Sequence, residues 1–225
     1  MKKITNFIPL LLIIISYGCL EDSSEVIVDS HYTFEEAIKG TKAPEDLVKH
    51  LEMITLTYYS FDGKLHQGQM VTHKDLAVDI KEVFMIMQAN KFPIRKVIPI
   101  VKYDWDDGSS LIDDNSSCFN YRQITGETNL SMHSLGLAID LNPLENPYIK
   151  GGIVLPPQAV YSINSLGTFT EESIVVKEFK KRGWEWGGNW NSLKDYQHFQ
   201  KNLSQMKLRS SGEESHTNHN VTLLP

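Results

Sequence analysis

Apolar residues recur at helical spacing in one long segment of the chain and cluster more tightly in others. Thr72-His73-Lys74-Asp75 has the pattern of a capping box, and the apolar positions that follow it fall on one helical face: Leu76, Ile80, Val83, Phe84 and Met87. We therefore predict a helix with one buried face. Residues 54–59 and 97–103 are rich in β-branched and aromatic side chains and predict strands.

Shorter elements surround these segments. Thr33-Phe34-Glu35-Glu36 predicts a capped helix, Pro44 opens a second short helix, and Glu171-Glu172 begins a third. The apolar run at residues 137–141 predicts a strand, although Asp140 interrupts it. Few long helices, several strands and no regular alternation of strand and helix together predict an α+β domain with an antiparallel sheet.

The beginning of the chain has the composition of an export signal. Lys2 and Lys3 precede an apolar run at residues 7–15, which is too short to span a bilayer. Small residues before Cys19 also make the segment similar to a bacterial lipoprotein signal. We therefore expect export, lipidation at Cys19, and a location in the cell envelope on the periplasmic or cell-surface side.

These patterns divide the chain into four parts. Residues 1–19 are the predicted signal peptide, and residues 20–50 form an N-terminal extension with short helices. Residues 51–207 form the predicted folded domain. Residues 208–225 are polar and lack periodicity, which predicts a disordered tail.

Composition excludes several classes of protein. Hydrophobic residues make up 41% of the chain, which is enough for a core, and the net charge of -6 disfavours nucleic-acid binding. Two cysteines cannot hold together a disulfide scaffold, and Cys118 is expected to be a small buried residue. Five aspartates between positions 104 and 114 do not match calcium-loop spacing, so this stretch predicts a solvated loop.

One constellation carries chemistry. His133 and Asp140 stand seven positions apart around a glycine-containing turn, and Asp195 and His198 follow much later. Two histidines and one carboxylate are a zinc ligand set that leaves the fourth tetrahedral position for water. A carboxylate inside an apolar run also needs a cation, because burying an isolated charge costs several kcal/mol. Zinc would satisfy Asp140, and so would Arg122 as an ion-pair partner.

Two motif blocks carry a resemblance to a known family. The pattern SxHxxGxAxD occupies residues 131–140, and WGGxW and DxxHF follow within residues 186–199. Together they resemble the zinc D,D-carboxypeptidase family of bacterial cell-wall enzymes, which includes phage L-alanyl-D-glutamate endolysins and the D,D-dipeptidases of vancomycin resistance. The similarity extends over roughly residues 51–200. It implies the Hedgehog/DD-peptidase fold, a single α+β domain with a central antiparallel sheet flanked by helices.

The resemblance also implies roles for individual residues. The expected ligands of one zinc ion per chain are His133, Asp140 and His198. Asp195 corresponds to the acidic general base. Arg122 corresponds to an arginine that stabilises the oxyanion or holds a substrate carboxylate, and Ser131 to a serine that lines the substrate cleft. The chain departs from the family in two places: Asp195 is shorter than the Glu of the dipeptidase branch, and Gln200 stands where the endopeptidase-like relatives often have Glu.

The function implied by the resemblance is hydrolysis of peptidoglycan stem peptides. D-Alanyl-D-alanine carboxypeptidase is the first expectation, and L-alanyl-D-glutamate endopeptidase is the alternative. A non-catalytic, zinc-containing wall-binding module is a further alternative, but binding alone requires neither Asp195 nor Arg122 beside the metal. A general protein protease is weaker because the chain has no HExxH. We expect stem peptides as partners, no nucleic acid, membrane contact only through a lipid anchor, and a monomer.

Overall fold

The computed structural model describes residues 25–124 and 128–202. The predicted signal at residues 1–19, its lipidation site Cys19 and the predicted tail at residues 208–225 lie outside these ranges. Within them, no helix is both long and apolar enough to cross a membrane.

A long hairpin provides one side of the main core. β2 (Leu51–Tyr59) pairs antiparallel with β3 (Leu65–His73), and the short β1 (Ile27–Val28) pairs parallel with the other edge of β3. The strand predicted at residues 54–59 is confirmed, and it begins earlier, at Leu51. Gly63 lies in the turn between β2 and β3 with a φ of 75°, a left-handed conformation that glycine adopts without strain.

The predicted amphipathic helix packs against this hairpin. A 3₁₀ turn at Lys74–Leu76 leads into α3 (Ala77–Ala89), and all five positions predicted to be buried are at most 1% exposed: Leu76, Ile80, Val83, Phe84 and Met87. The predicted cap is wrong, because Thr72 lies within β3 and the strand continues for one more residue. The side chain of His73 therefore caps the turn, where its Nδ1 accepts a hydrogen bond from the Asp75 amide at 3.2 Å.

Two short helices precede the hairpin, as predicted. α1 (Phe34–Ala37) begins with a complete capping box, in which the Thr33 hydroxyl accepts from the Glu36 amide and the Glu36 carboxylate accepts from the Thr33 amide. α2 (Glu45–Val48) follows. Apolar side chains of this region pack around a second, smaller core cluster formed by Ala37, Leu51, Val71 and Phe119.

Two predictions for the middle of the chain are wrong. Residues 97–103 do not form a strand; they contain a 3₁₀ turn at Ile100–Tyr103, because Pro99 has no amide hydrogen to donate to a sheet. The aspartate-rich stretch is more ordered than a solvated loop. Asp106 accepts a hydrogen bond from the Ser109 amide at 2.7 Å and so caps α4 (Asp107–Ile112).

The remaining strands form two small antiparallel sheets. Their members are β4 (Ala138–Asp140), β5 (Tyr148–Lys150), β6 (Ile153–Leu155), β7 (Glu185–Trp186), β8 (Lys194–Asp195) and β9 (His198–Gln200). One sheet has the order β4-β9-β7 and the other β6-β5-β8. The helix predicted near Glu171 forms as α5 (Ile174–Lys181) and packs against α3.

The architecture is mixed α+β, as predicted, but it differs from the expected single central antiparallel sheet. The described residues form three sheets of three strands each, and the pair β1–β3 is parallel. The second and third sheets are small, because their strands are only two or three residues long. Both lie in the part of the chain that carries the candidate ligands.

Candidate metal centre

His133 is presented by a tight turn. It lies in a 3₁₀ segment, Met132–Leu135, whose first amide hydrogens are capped by Ser131; the Ser131 hydroxyl accepts from the His133 amide at 3.3 Å. The segment ends at Gly136 with a φ of 67°, and a Cβ there would lie 2.7 Å from the main-chain nitrogen of His73. Glycine is therefore required both by conformation and by space, and the turn holds His133 only 3% exposed.

Strand register brings Asp140 and His198 together. They are direct partners across the antiparallel pair β4–β9, so their side chains project from the same face of the sheet. On its other side, the main chain of Asp140 exchanges two hydrogen bonds with Ser117, at 2.8 and 3.0 Å. The main chain of Asp140 is therefore paired on both sides, with His198 and with Ser117, and its carboxylate has little freedom to move.

The three side chains converge on one point. The distance from His133 Nε2 to His198 Nδ1 is 3.2 Å, from His198 Nδ1 to Asp140 Oδ1 it is 3.1 Å, and from His133 Nε2 to Asp140 Oδ2 it is 3.2 Å. Zinc–nitrogen and zinc–oxygen bonds of about 2.0–2.1 Å in a tetrahedron place ligand atoms about 3.3 Å apart. The donor set therefore fits a zinc ion after adjustments of a few tenths of an ångström.

Hydrogen bonds on the outer side orient both imidazole rings. His133 Nδ1 is 2.6 Å from the main-chain oxygen of Cys118, and His198 Nε2 is 3.1 Å from Gln200 Oε1. Oxygen atoms of these types only accept, so the outer nitrogen of each ring carries the proton and donates. The inner nitrogens, His133 Nε2 and His198 Nδ1, face the Asp140 carboxylate, and a metal that replaced the protons shared there would bind their lone pairs.

The electrostatics of the cluster favour positive charge. Burial lowers the pKa of His198, but its hydrogen bond to Asp140 and the charge of that carboxylate outweigh burial and raise the pKa of His198 to about 9. Burial likewise raises the pKa of Asp140, yet the charge of His133 and the hydrogen bonds from both histidines hold it far below the ordinary value. A proton or a metal ion can supply the charge that this site attracts.

Asp195 lies beside the cluster with a free acceptor. It precedes the two-residue turn that leads into His198, and its main chain is packed so closely on Gly187 that a Cβ there would lie 2.5 Å from the Asp195 oxygen. Its Oδ1 is buried and has no hydrogen-bond partner among the described residues. Burial raises the pKa of Asp195 to about 6; the charge of His198 acts in the opposite direction, and that of Asp140 adds to the rise.

Arg122 is held near the turn but does not pair with Asp140. Its Nη2 is 2.9 Å from Asp107 Oδ2 on α4, and its amide donates to Ser134 Oγ at 2.9 Å. Its Nε is buried and has no partner among the described residues. The interpretation of Arg122 as the cation that satisfies Asp140 is therefore wrong, since His133 and His198 surround that carboxylate.

Three features of this region were not found from the sequence. Asp107 anchors Arg122, but it lies in the aspartate-rich stretch for which the sequence predicts a solvated loop. The ring of Trp190 lies 5.3 Å from the ring of His198, between centroids, and forms part of the surroundings of the site. Cys118 is buried as expected, with a pKa raised by burial to about 12, and contributes through its main-chain oxygen. Of these three, only Trp190 could have been predicted from the sequence, because it is the last residue of the WGGxW motif.

Comparison with known proteins supports a peptidase. Residues 125–201, about a third of the chain, match the model of a family described as D-alanyl-D-alanine carboxypeptidase. The match includes His133, Asp140, Asp195 and His198, whereas Arg122 precedes it. Comparisons with curated proteins and with solved structures return no match. Peptidases of this family are zinc-dependent in general, and His133, Asp140 and His198 form a buried group able to bind a metal. The resemblance inferred from the two motif blocks is confirmed: residues 125–201 match the zinc peptidase family of the D-alanyl-D-alanine carboxypeptidases.

Proposed function

We propose that this protein is a zinc-dependent peptidase that hydrolyses peptidoglycan stem peptides, in the first place as a D-alanyl-D-alanine carboxypeptidase. The observation that carries the proposal is a buried set of three metal-binding side chains, beside which Asp195 has one carboxylate oxygen, Oδ1, with no hydrogen-bond partner among the described residues. A metal ligand set alone would serve a structural site. A buried acceptor at its edge is what hydrolysis additionally requires. We further propose that the domain has the Hedgehog/DD-peptidase fold.

The proposed reaction assigns each side chain a task. His133, Asp140 and His198 would hold the zinc ion, which would supply Lewis acidity to activate water and polarise a carbonyl. Asp195 Oδ1 accepts the proton of the attacking water and later delivers it to the leaving amine. A pKa of about 6 suits both steps, because the carboxylate is ionised at neutral pH and is still readily protonated.

Arg122 is proposed to bind the substrate. Its guanidinium is fixed at one end by Asp107, while its buried Nε still has a hydrogen to donate. A fixed positive group stabilises charge that grows on a carbonyl oxygen, or the terminal carboxylate of a D-alanyl-D-alanine stem. For Ser131, we keep the proposal that it lines the cleft; its hydroxyl also caps the turn that carries His133.

The main alternative is cleavage of the L-alanyl-D-glutamate bond of the same stem peptide. It is favoured by Asp195, which is shorter than the Glu of the dipeptidase branch and corresponds to the endopeptidase-like relatives. A non-catalytic wall-binding module is disfavoured by the same residue. Burying one carboxylate oxygen, Asp195 Oδ1, without a hydrogen-bond partner among the described residues costs stability, and wall binding alone gives no compensation for that cost.

Digestion of purified muropeptides distinguishes these possibilities. Zinc-loaded protein is incubated with pentapeptide muropeptides and the products are weighed. Loss of one alanine identifies the carboxypeptidase, and separation of the stem after its first residue identifies the endopeptidase. A His133→Ala, His198→Ala double variant is the control and should release nothing. Intact substrate after incubation with fully zinc-loaded wild-type protein would contradict the proposed enzyme.

We also propose that the protein is exported and anchored in the cell envelope through lipidated Cys19. The proposal rests on the sequence of residues 1–19 and would bring the enzyme to its polymer. Labelled palmitate should be incorporated into the wild-type chain and not into Cys19→Ala. A mature chain that starts at another residue and carries no lipid would contradict it.

A further inference from the structure

A chain of hydrogen bonds leads from the protein surface to the candidate metal ligand His198. Glu185, on β7, is exposed, and its Oε2 is 3.2 Å from Gln200 Nε2 on β9. Gln200 Oε1 is in turn 3.1 Å from His198 Nε2. The other nitrogen of His198, Nδ1, lies 3.1 Å from Asp140 Oδ1 within the ligand cluster.

Strand register brings these three side chains together. Glu185 and Gln200 are direct partners across the antiparallel pair β7–β9, so their side chains share one face of that sheet. His198 and Gln200 are two positions apart on β9, which places them on the same face. The contact is therefore a product of the fold and involves no flexible loop.

The chemistry of the groups fixes the direction of every hydrogen bond. A carboxylate offers only acceptors, so the amide nitrogen of Gln200 must face Glu185. Its amide oxygen then faces His198 and can only accept. His198 must therefore carry a proton on Nε2. Nδ1 shares a second proton with the Asp140 carboxylate at 3.1 Å, and a metal that replaced this second proton would bind the lone pair of Nδ1.

We infer that Glu185 and Gln200 are positioning residues that set the tautomer of His198 and thereby the affinity of the centre for zinc. The inference deepens the proposed function and rests on the metal centre proposed there. It also accounts for an amide rather than a carboxylate at position 200. A second carboxylate about 3 Å from Glu185 would place two like charges in contact, which is unfavourable. The amide of Gln200 avoids that repulsion, because its nitrogen donates to Glu185 while its oxygen accepts from His198.

Zinc affinity of purified full-length protein, measured by competition with a chelator, tests the inference. Gln200→Leu removes the acceptor and should weaken zinc binding about 10–100-fold, the usual effect of losing such an outer partner. Glu185→Gln removes the group that orients the amide; because Glu185 is exposed, the expected loss is about two- to fivefold. Gln158→Leu, an exposed glutamine bonded to the Ile112 oxygen, is the matched control and should bind zinc as wild type does.

Two further measurements separate tautomer control from simple packing. The exchange variant Glu185→Gln, Gln200→Glu reverses the amide and carboxylate and should bind zinc within about threefold of wild type, because a carboxylate at 200 again accepts from His198. In zinc-loaded wild type, nitrogen-15 NMR of the histidine rings should show the proton of His198 on Nε2. Gln200→Leu with affinity within twofold of wild type, or zinc bound through Nε2 of His198, would overturn the inference. Failure of the wild type itself to bind zinc would instead overturn the proposed metal centre.

Discussion

Replacement of Asp195 by asparagine should reduce turnover and at the same time relieve a stability cost. The substitution keeps the shape of the side chain and leaves His133, Asp140 and His198 in place. It removes the proton acceptor, whose contribution to hydrolysis is typically about 10²–10⁴-fold in rate. This loss corresponds to roughly 3–5 kcal/mol of transition-state stabilisation.

The stability effect follows from the raised pKa of Asp195. Burial raises this pKa from 3.8 to about 6, and a difference of about two pKa units corresponds to about 3 kcal/mol between the protonation states. For an acid with a raised pKa, the cost is absent below the unfolded-state pKa and complete above the folded-state pKa. Asparagine never ionises, so the variant should gain stability relative to wild type as the pH rises from 4 to 8, by up to about 3 kcal/mol.

Two assays read the two effects separately. Chemical denaturation of zinc-free protein at pH 4 and pH 8 gives the change in relative stability, and any constant cost of burying the amide cancels between the two pH values. Product formation per bound zinc on a muropeptide gives turnover. A turnover ratio near one would remove Asp195 from the mechanism. A loss of zinc affinity with turnover falling only in proportion would mean that Asp195 serves to orient His198.

Three further predictions concern other parts of the molecule. Wild-type protein should bind about one zinc per chain by elemental analysis, and His133→Ala should lower that content sharply; unchanged occupancy would refute the ligand assignment. Burial and the neighbouring Asp114 raise the pKa of Glu145 to about 7, so ionising Glu145 costs folding stability as the pH rises from 4.5 to 7. Because glutamine does not ionise, Glu145→Gln should gain up to about 3 kcal/mol of stability over wild type between pH 4 and 8 in denaturation experiments. Asp107→Asn should lower kcat/KM about two- to fivefold at unchanged zinc content, because a partly exposed ion pair with Arg122 contributes at most about 1 kcal/mol. An unchanged kcat/KM would show that the Arg122 guanidinium does not need Asp107 to hold it in place.

Sequence patterns predicted the elements that can be recognised within a short, continuous stretch of the chain. The face of α3 from Leu76 to Met87 was found because its apolar spacing matches the helical repeat, and the capping box of Thr33 because it needs only four consecutive residues. β3 was not predicted, because several residues of this mostly buried strand are polar and give no apolar strand pattern. His66 and Gln69 there are satisfied by Asp29 and Tyr32, more than thirty positions earlier in the chain.

The candidate ligands could be predicted from motif spacing, but the groups that orient them could not. The pairs Arg122–Asp107 and Glu185–Gln200 join residues that are 15 positions apart in the chain. They meet only because of strand register and the placement of α4. The strand expected at residues 97–103 was wrong for a different, local reason: its composition favours a strand, but Pro99 has no amide hydrogen to donate to a sheet.

The cross-strand pairing of Asp140 with His198 has an evolutionary consequence. These residues are 58 positions apart, and an ion shared between them would close the intervening segment into a loop, as a crosslink does. For a loop of this size the chain-entropy estimate of the stabilisation is about 4 kcal/mol, and doubling the loop changes the closure entropy by only about 0.6 kcal/mol. The segment that contains β5, β6 and α5 can therefore gain or lose residues with little effect on that contribution. Relatives of this chain can therefore differ in the length of that segment while Asp140 and His198 stay in register.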